Sequence, residues 1–225
     1  MARHFHKELE KIKKMILSLG AMVEERVRKT STAITNRDAE MSNDIIRSDF
    51  EIDEMEVEIE EECLKIMALH QPVAIDLRFL VAVIKINNDL ERIADETANI
   101  ARRIKTIVKD NPADLVFDYE PMTNEVETML KLSLDALVNM DVDMAFKVVT
   151  MDDQVDSYHR QVYQLICEEM QHHTDQMPFL INFYLISRHL ERIADHATNI
   201  AEDVIYMIRG DIVRHGTEDY ITEQQ

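Results

Sequence analysis

The hexapeptide Leu90-Glu91-Arg92-Ile93-Ala94-Asp95 returns as Leu190-Glu191-Arg192-Ile193-Ala194-Asp195, 100 residues on. The match extends to Asn99-Ile100-Ala101 and Asn199-Ile200-Ala201. A chain that repeats itself this closely must set two like helices in two like surroundings. Each copy reads Glu-x-x-x-Asp-x-x-x-Asn. Residues four apart stack on one face of a helix, so each copy is a ladder of three oxygen-bearing side chains. At about 100° per residue, Glu91, Asp95 and Asn99 fall on the side of Leu77, Leu80, Val81 and Ile84. Glu191 and Asp195 likewise continue the side of Leu180, Phe183 and Tyr184. A carboxylate on an apolar stripe needs a partner or it takes up a proton. Two bare carboxylates about 5 Å apart repel by about 3 kcal/mol at an effective dielectric of about 20, and a cation removes that cost. One such run alone reads as surface charge paired with arginine. Repetition at equivalent places, on an apolar stripe, favours a ligand role.

Three glycines and four prolines among 225 residues leave little to interrupt helices. Apolar residues recur at helical spacing from Phe5 to Val27, predicting a first helix over about Phe5–Asn36. Asp38 is placed to cap a second helix, about Ala39–Leu69. One face of it carries Ile46, Asp49, Asp53, Glu56, Val57, Glu60, Leu64 and Met67. Pro72 sits near the first turn of a third helix, about Val73–Val108, which holds the first ladder. Lys109 to Asp114 reads as the clearest linker. The second part repeats the plan, with helices over about Met122–Asn139, Val142–His172 and Phe179–Arg209, the last ended by Gly210 as a left-handed cap. Residues from about Gly216 to Gln225 read as a polar, frayed tail. The expected architecture is all-α: two tandem pseudo-symmetric three-helix bundles of six long helices, residues 1–111 and 112–225.

The fifth helix carries Asp152 and Asp156, each 103 residues after Asp49 and Asp53, with His159 in the place of Glu56. If neighbouring helices turn these faces together, Asp49, Asp53, Glu91 and Asp95 converge in one half. Asp152, Asp156, Glu191 and Asp195 converge in the other, and Asn99 or Asn199 lies nearby. Helical bundles build metal sites in this way. All-oxygen sets suit magnesium, manganese or iron, with zinc possible. His159 and His196 could add imidazole to the second cluster, although each is more often structural. Ala94 and Ala194 stand where a ferritin-like Glu-x-x-His pair needs histidine, which weakens an oxygen-activating enzyme. No Gly-rich phosphate loop and no Gly-x-Ser-x-Gly elbow occurs.

The formal net charge of −19 argues against nucleic acid and against adsorption to anionic lipid, and suits cations or a basic protein face. No apolar run reaches membrane-spanning length, and the N-terminus lacks a signal-peptide core, so a soluble, cytoplasmic chain is expected. Cys63 and Cys167 lie in helical apolar patterns and read as buried reduced thiols.

Taken together, the chain resembles the PhoU family, the phosphate-uptake regulators of bacteria and archaea. The resemblance rests on Asp49-x-x-x-Asp53 with its acidic run, on Pro72-Val73-Ala74-Ile75-Asp76-Leu77-Arg78 and on both ladders. It continues through Asn182-Phe183-Tyr184 to Asp203-Val204-Ile205-Tyr206, and to Gly210-Asp211-Ile212-Val213-Arg214-His215. Ala94 and Ala194 replace a frequent glycine, and Glu96 a common histidine. The resemblance implies a non-enzymatic negative regulator of the phosphate-starvation response. It implies multinuclear metal clusters, iron or zinc among them, on the eight acids named above, with Asp76 a weaker candidate. It also implies homodimers, and partnership with a phosphate ABC transporter (its ATPase subunit) and a membrane sensor histidine kinase. The rival expectation is a carboxylate-bridged metal hydrolase or oxidase. Arg92 and Arg192 are expected to pair with carboxylates rather than touch metal.

Overall fold

A computed structural model describes residues 2–110 and 117–210. The expected linker centre, the 111/112 boundary, the motif end beyond Gly210 and the polar tail lie outside the described residues. Seven α-helices follow in order: α1 (Ala2–Asn36), α2 (Ala39–Arg47), α3 (Asp49–His70), α4 (Ala74–Asp110), α5 (Glu120–Asn139), α6 (Val142–His172) and α7 (Met177–Arg209), the last preceded by a short turn at Thr174–Gln176. Among the described residues there is no strand, and no helix is long and apolar enough to cross a membrane.

The caps do what their sequences ask. The Asp38 carboxylate accepts from the amides of Glu40 and Met41, closing two orphan donors of α2. Gly210 takes φ 84° and its amide bonds the Tyr206 carbonyl, ending α7. A Cβ there would meet Arg78 Nη1 at 2.8 Å. Pro72 lies two residues before α4, near its first turn as expected.

α1, α3 and α4 pack on one another in the first half, with α2 against α1 and α4; α5, α6 and α7 do so in the second. The halves meet along α4 against α7 and α1 against α5, under one continuous core. Gly20 lies where α1 passes the Leu134 side chain of α5. Ile12, Leu19, Ile59, Leu80, Ile86, Leu90, Ile93, Met129, Leu180, Ile193 and Val204 are fully buried.

Three expectations need correction. The second expected helix is two helices, broken at Ser48, whose φ −84° and ψ 7° leave the helical region. The cause comes from α1. The Arg26 side chain is buried and must find acceptors. The break turns three toward it: the Asp49 carboxylate at 2.9 Å, the Ser48 hydroxyl at 3.1 Å and the Ile45 carbonyl. The residue 103 positions later is Met129, fully buried and needing no acceptor, and α6 runs unbroken past Met151. The apolar face of α3 also differs from the expected one. It runs through Ile52, Ile59, Cys63 and Ile66, while Val57 and Leu64 face solvent. Finally, Cys63 is buried but Cys167 only partly so.

Candidate metal centres

The ladders sit at the margin of the core rather than on it. Leu80, Val83, Leu90, Ile93 and Ala94 of α4 are buried; Glu91 and Asp95 flank them, half-buried, and Leu77 is exposed. This marginal placement brings the carboxylates of α4 beside those of α3. Burial pushes the Asp49 carboxyl up; Arg26 pulls it back, while Asp53 and Asp95 add to the rise. Glu91 is raised first by burial and then by Asp95, with Asp53 and Glu56 also contributing. Glu56 is raised by burial, then by Glu60 and Asp53. The first four acids therefore feel one another, with Glu56 as a fifth member. Asp53 is the most solvent-exposed of the five on its side of the cluster, together with the rim position of Asp95.

The second cluster repeats the pattern. Asp152 is pushed up to about 6 by burial, then by Asp195 and Asp156; Thr198 Oγ1 donates to it at 3.3 Å. Glu191 is raised by burial, and Asp156 and Asp152 add to that against Arg188. Asp195 lies on the exposed rim.

One pair of atoms points to a cation. Glu91 Oε2 and Glu191 Oε2, 100 residues apart, are both buried and accept no hydrogen bond. Each meets a half-exposed guanidinium at ion-pair range instead: Arg92 Nε at 3.4 Å from Glu91 Oε2, and Arg188 Nη1 at 4.0 Å from Glu191 Oε2. Buried carboxylate oxygens that accept no hydrogen bond, at equivalent places and among acids that raise one another, are the donor chemistry a hard or borderline cation takes. The eight acids fit such a group in donor type. As placed, though, no set of three His, Cys, Asp or Glu side chains among the described residues stands at metal-holding distance.

The other nominated side chains go elsewhere. His159 Nδ1 lies 3.0 Å from Ser187 Oγ, and its ring packs on Tyr184. Burial, then Arg188, lowers its pKa while Asp156 raises it. The same places in the first half hold Glu56 and Asn87, whose amide donates to Glu56 Oε1 at 3.2 Å. His196 turns away from its cluster to Asp89 on α4, at 2.8 Å. Asn199 donates to the same Asp89, and Asn99 Oδ1 accepts from Arg102. Asp76 lines a separate apolar groove with Leu9, Ile75 and Phe79. Arg92 pairs with Glu91 and Asp95, and Arg192 with Glu96 at 2.9 Å.

The seam between α4 and α7 went unforeseen. Glu96 is buried and lies 2.6 Å from His189 Nδ1. Burial raises its carboxyl, but the His189 hydrogen bond and the charges of His189 and Arg192 outweigh that and hold it below the usual range. Residues 89 and 96 on α4 correspond to 189 and 196 on α7, so acid meets imidazole twice, in crossed fashion. Lys85 adds a third tie, to buried Asp203 at 3.0 Å. The only sequence hint was charge reversal at those repeat positions.

The PhoU domain model matches this chain twice, over residues 16–104 and 120–204. The chain is 35% identical to the phosphate-specific transport system accessory protein PhoU homolog of Clostridium acetobutylicum, across 92% of its own length and 94% of the relative's. It is 31% identical to the phosphate-specific transport system accessory protein PhoU of Escherichia coli, across 94% and 88%. The crystal structure of PhoU from Pseudomonas aeruginosa superposes with a TM-score of 0.87 at 34% identity, covering 92% of this chain and all of that one. That of the phosphate transport system regulatory protein PhoU from Streptococcus pneumoniae gives 0.83 at 31% identity, covering 93% and 99%.

Proposed function

The chain belongs to the PhoU family, and on that premise we propose that it is an accessory protein of phosphate transport that restrains the phosphate-starvation response. It is not an enzyme; the family is regulatory, which removes the metal hydrolase or oxidase from consideration. In this reading it works as an adaptor between a phosphate ABC transporter, through its ATPase subunit, and a sensor histidine kinase, as a homodimer. Asp49, Asp53, Glu91 and Asp95 hold metal in one half; Asp152, Asp156, Glu191 and Asp195 hold it in the other. Iron, zinc, manganese and magnesium all suit such oxygen donors. Bound metal would supply positive charge that lets the acids of adjacent helices stay ionised side by side, fastening α3 to α4 and α6 to α7.

The buried oxygens of Glu91 and Glu191 that accept no hydrogen bond carry the metal reading, and near full-length likeness to accessory proteins carries the transport reading. Deleting the gene should leave phosphate-responsive genes switched on in phosphate-rich medium; unchanged expression would count against the regulatory role. Elemental analysis of untagged protein purified without chelator should find metal, and the Glu91→Gln/Asp95→Asn/Glu191→Gln/Asp195→Asn variant should lose it. A Tm that rises with added metal in the parent and not in this variant makes the same point.

A further inference from the structure

The two clusters share a plan but differ in one buried charge. In the first, the Arg26 guanidinium is buried beneath the α2–α3 break and donates to Asp49 at 2.9 Å, to Ser48 Oγ at 3.1 Å and to the Ile45 carbonyl. The place equivalent to Arg26 in the second half holds Met129, buried and uncharged. Among the described residues, Asp152, the equivalent of Asp49, accepts from the neutral Thr198 hydroxyl, at 3.3 Å, and from no buried guanidinium. We propose that Arg26 is a positioning residue that reserves Asp49, so that a metal ion fills the second cluster first and enters the first only by taking Asp49 from the guanidinium. This ordering rests on the metal-binding reading given above.

The physical basis is competition for one carboxylate. An ionised carboxylate already in a charge-assisted hydrogen bond must give up that bond, wholly or in part, to bind a cation. Arginine stays charged and cannot leave by losing its proton. The extra acid of the first cluster, Glu56 in place of His159, does not reverse this, because Arg26 cancels its charge. Releasing Asp49 also loosens the clamp on Ser48 and Ile45, so filling the first cluster should be felt at the α2–α3 break.

The test titrates the chelated full-length chain with manganese(II), reading free ion by electron paramagnetic resonance. The Glu191→Gln/Asp195→Asn background reports the first cluster alone; Glu91→Gln/Asp95→Asn reports the second. The second should bind about 10-fold or more tightly than the first, the loss expected for breaking a hydrogen bond to a charged group. Adding Arg26→Met to the first background should close that gap. Arg26→Gln, which keeps an amide donor for the Ile45 carbonyl without the charge, should narrow it should the methionine variant fold poorly. Hydrogen exchange at residues 45–52 should quicken as the first cluster fills. Equal affinities that ignore both Arg26 substitutions overturn the ordering and leave metal binding standing. Absence of manganese binding in every background overturns the metal reading, and the ordering with it.

Discussion

Asp152→Asn should stabilise the metal-free protein, although it removes a charged residue from what is read as a binding site. In the unfolded chain Asp152 has its ordinary value of 3.8; in the fold, burial and then Asp195 and Asp156 push it up to about 6. A raised carboxyl favours folding only while protonated. Its penalty is therefore absent below about pH 4, grows between about 4 and 6, and is complete above 6. The displacement from 3.8 to about 6 amounts to about 3 kcal/mol. Asp152 keeps partial contact with water, so solvent screening reduces this to about 1–2 kcal/mol. Asparagine carries no charge and still offers Oδ1 to the Thr198 hydroxyl. Urea unfolding in chelator at about pH 7.5 should show Asp152→Asn more stable than the parent by about 1–2 kcal/mol, and at about pH 4.5 the gain should shrink to about a third. Excess manganese should then reverse the order, because the cation binds the folded parent and not the variant. A variant that is less stable in chelator at pH 7.5, or whose gain ignores pH, would refute the crowding of carboxylates on which the site is built.

Three further outcomes follow from single contacts. Glu96→Ala strands His189 and Arg192 against α4 and should cost about 3 kcal/mol in urea unfolding, more than Glu96→Gln. Because Glu96 is held below the usual carboxylate range, its contribution is full above that range and fades as pH falls through its folded value, so parent and alanine variant should converge in acid. Tyr119→Phe deletes the buried hydroxyl that donates to the Phe183 carbonyl at 2.7 Å and should lower stability by about 1 kcal/mol, read as a drop in Tm. Gly210→Ala places a Cβ at φ 84° against Arg78 and should cost about 1 kcal/mol by urea titration.

The helices were legible because so little interrupts them. Val142–His172 coincides with its expected span, and Asp38 and Gly210 cap as their residue types require. What could not be read was decided by tertiary contact. Ser48 three residues before Glu51 has the spacing of a helix start, but that hint is weak inside a long helical pattern, and the buried Arg26 guanidinium that holds the break comes from α1. The face of α3 was misassigned because two stripes of apolar residues at helical spacing compete there, and only packing selects Ile52, Ile59 and Ile66 over Val57 and Leu64. That the two acids on each helix share a face was legible, since spacing of four fixes a face. Their depth was not, because a half-buried margin and a buried stripe look alike in one dimension. His196 was weighed for the second cluster only because its partner on the other half could not be foreseen.

The crossed acid–imidazole seam bears on which chains can assemble at all. Two copies of the first half, laid together as α4 lies on α7, would bring Asp89 against Glu96 twice over. Two copies of the second would set His189 against His196. Only the mixed pairing satisfies both contacts, so the two repeats are complementary rather than interchangeable along this seam. Either half expressed alone should therefore prefer the other as its mate over a twin of itself.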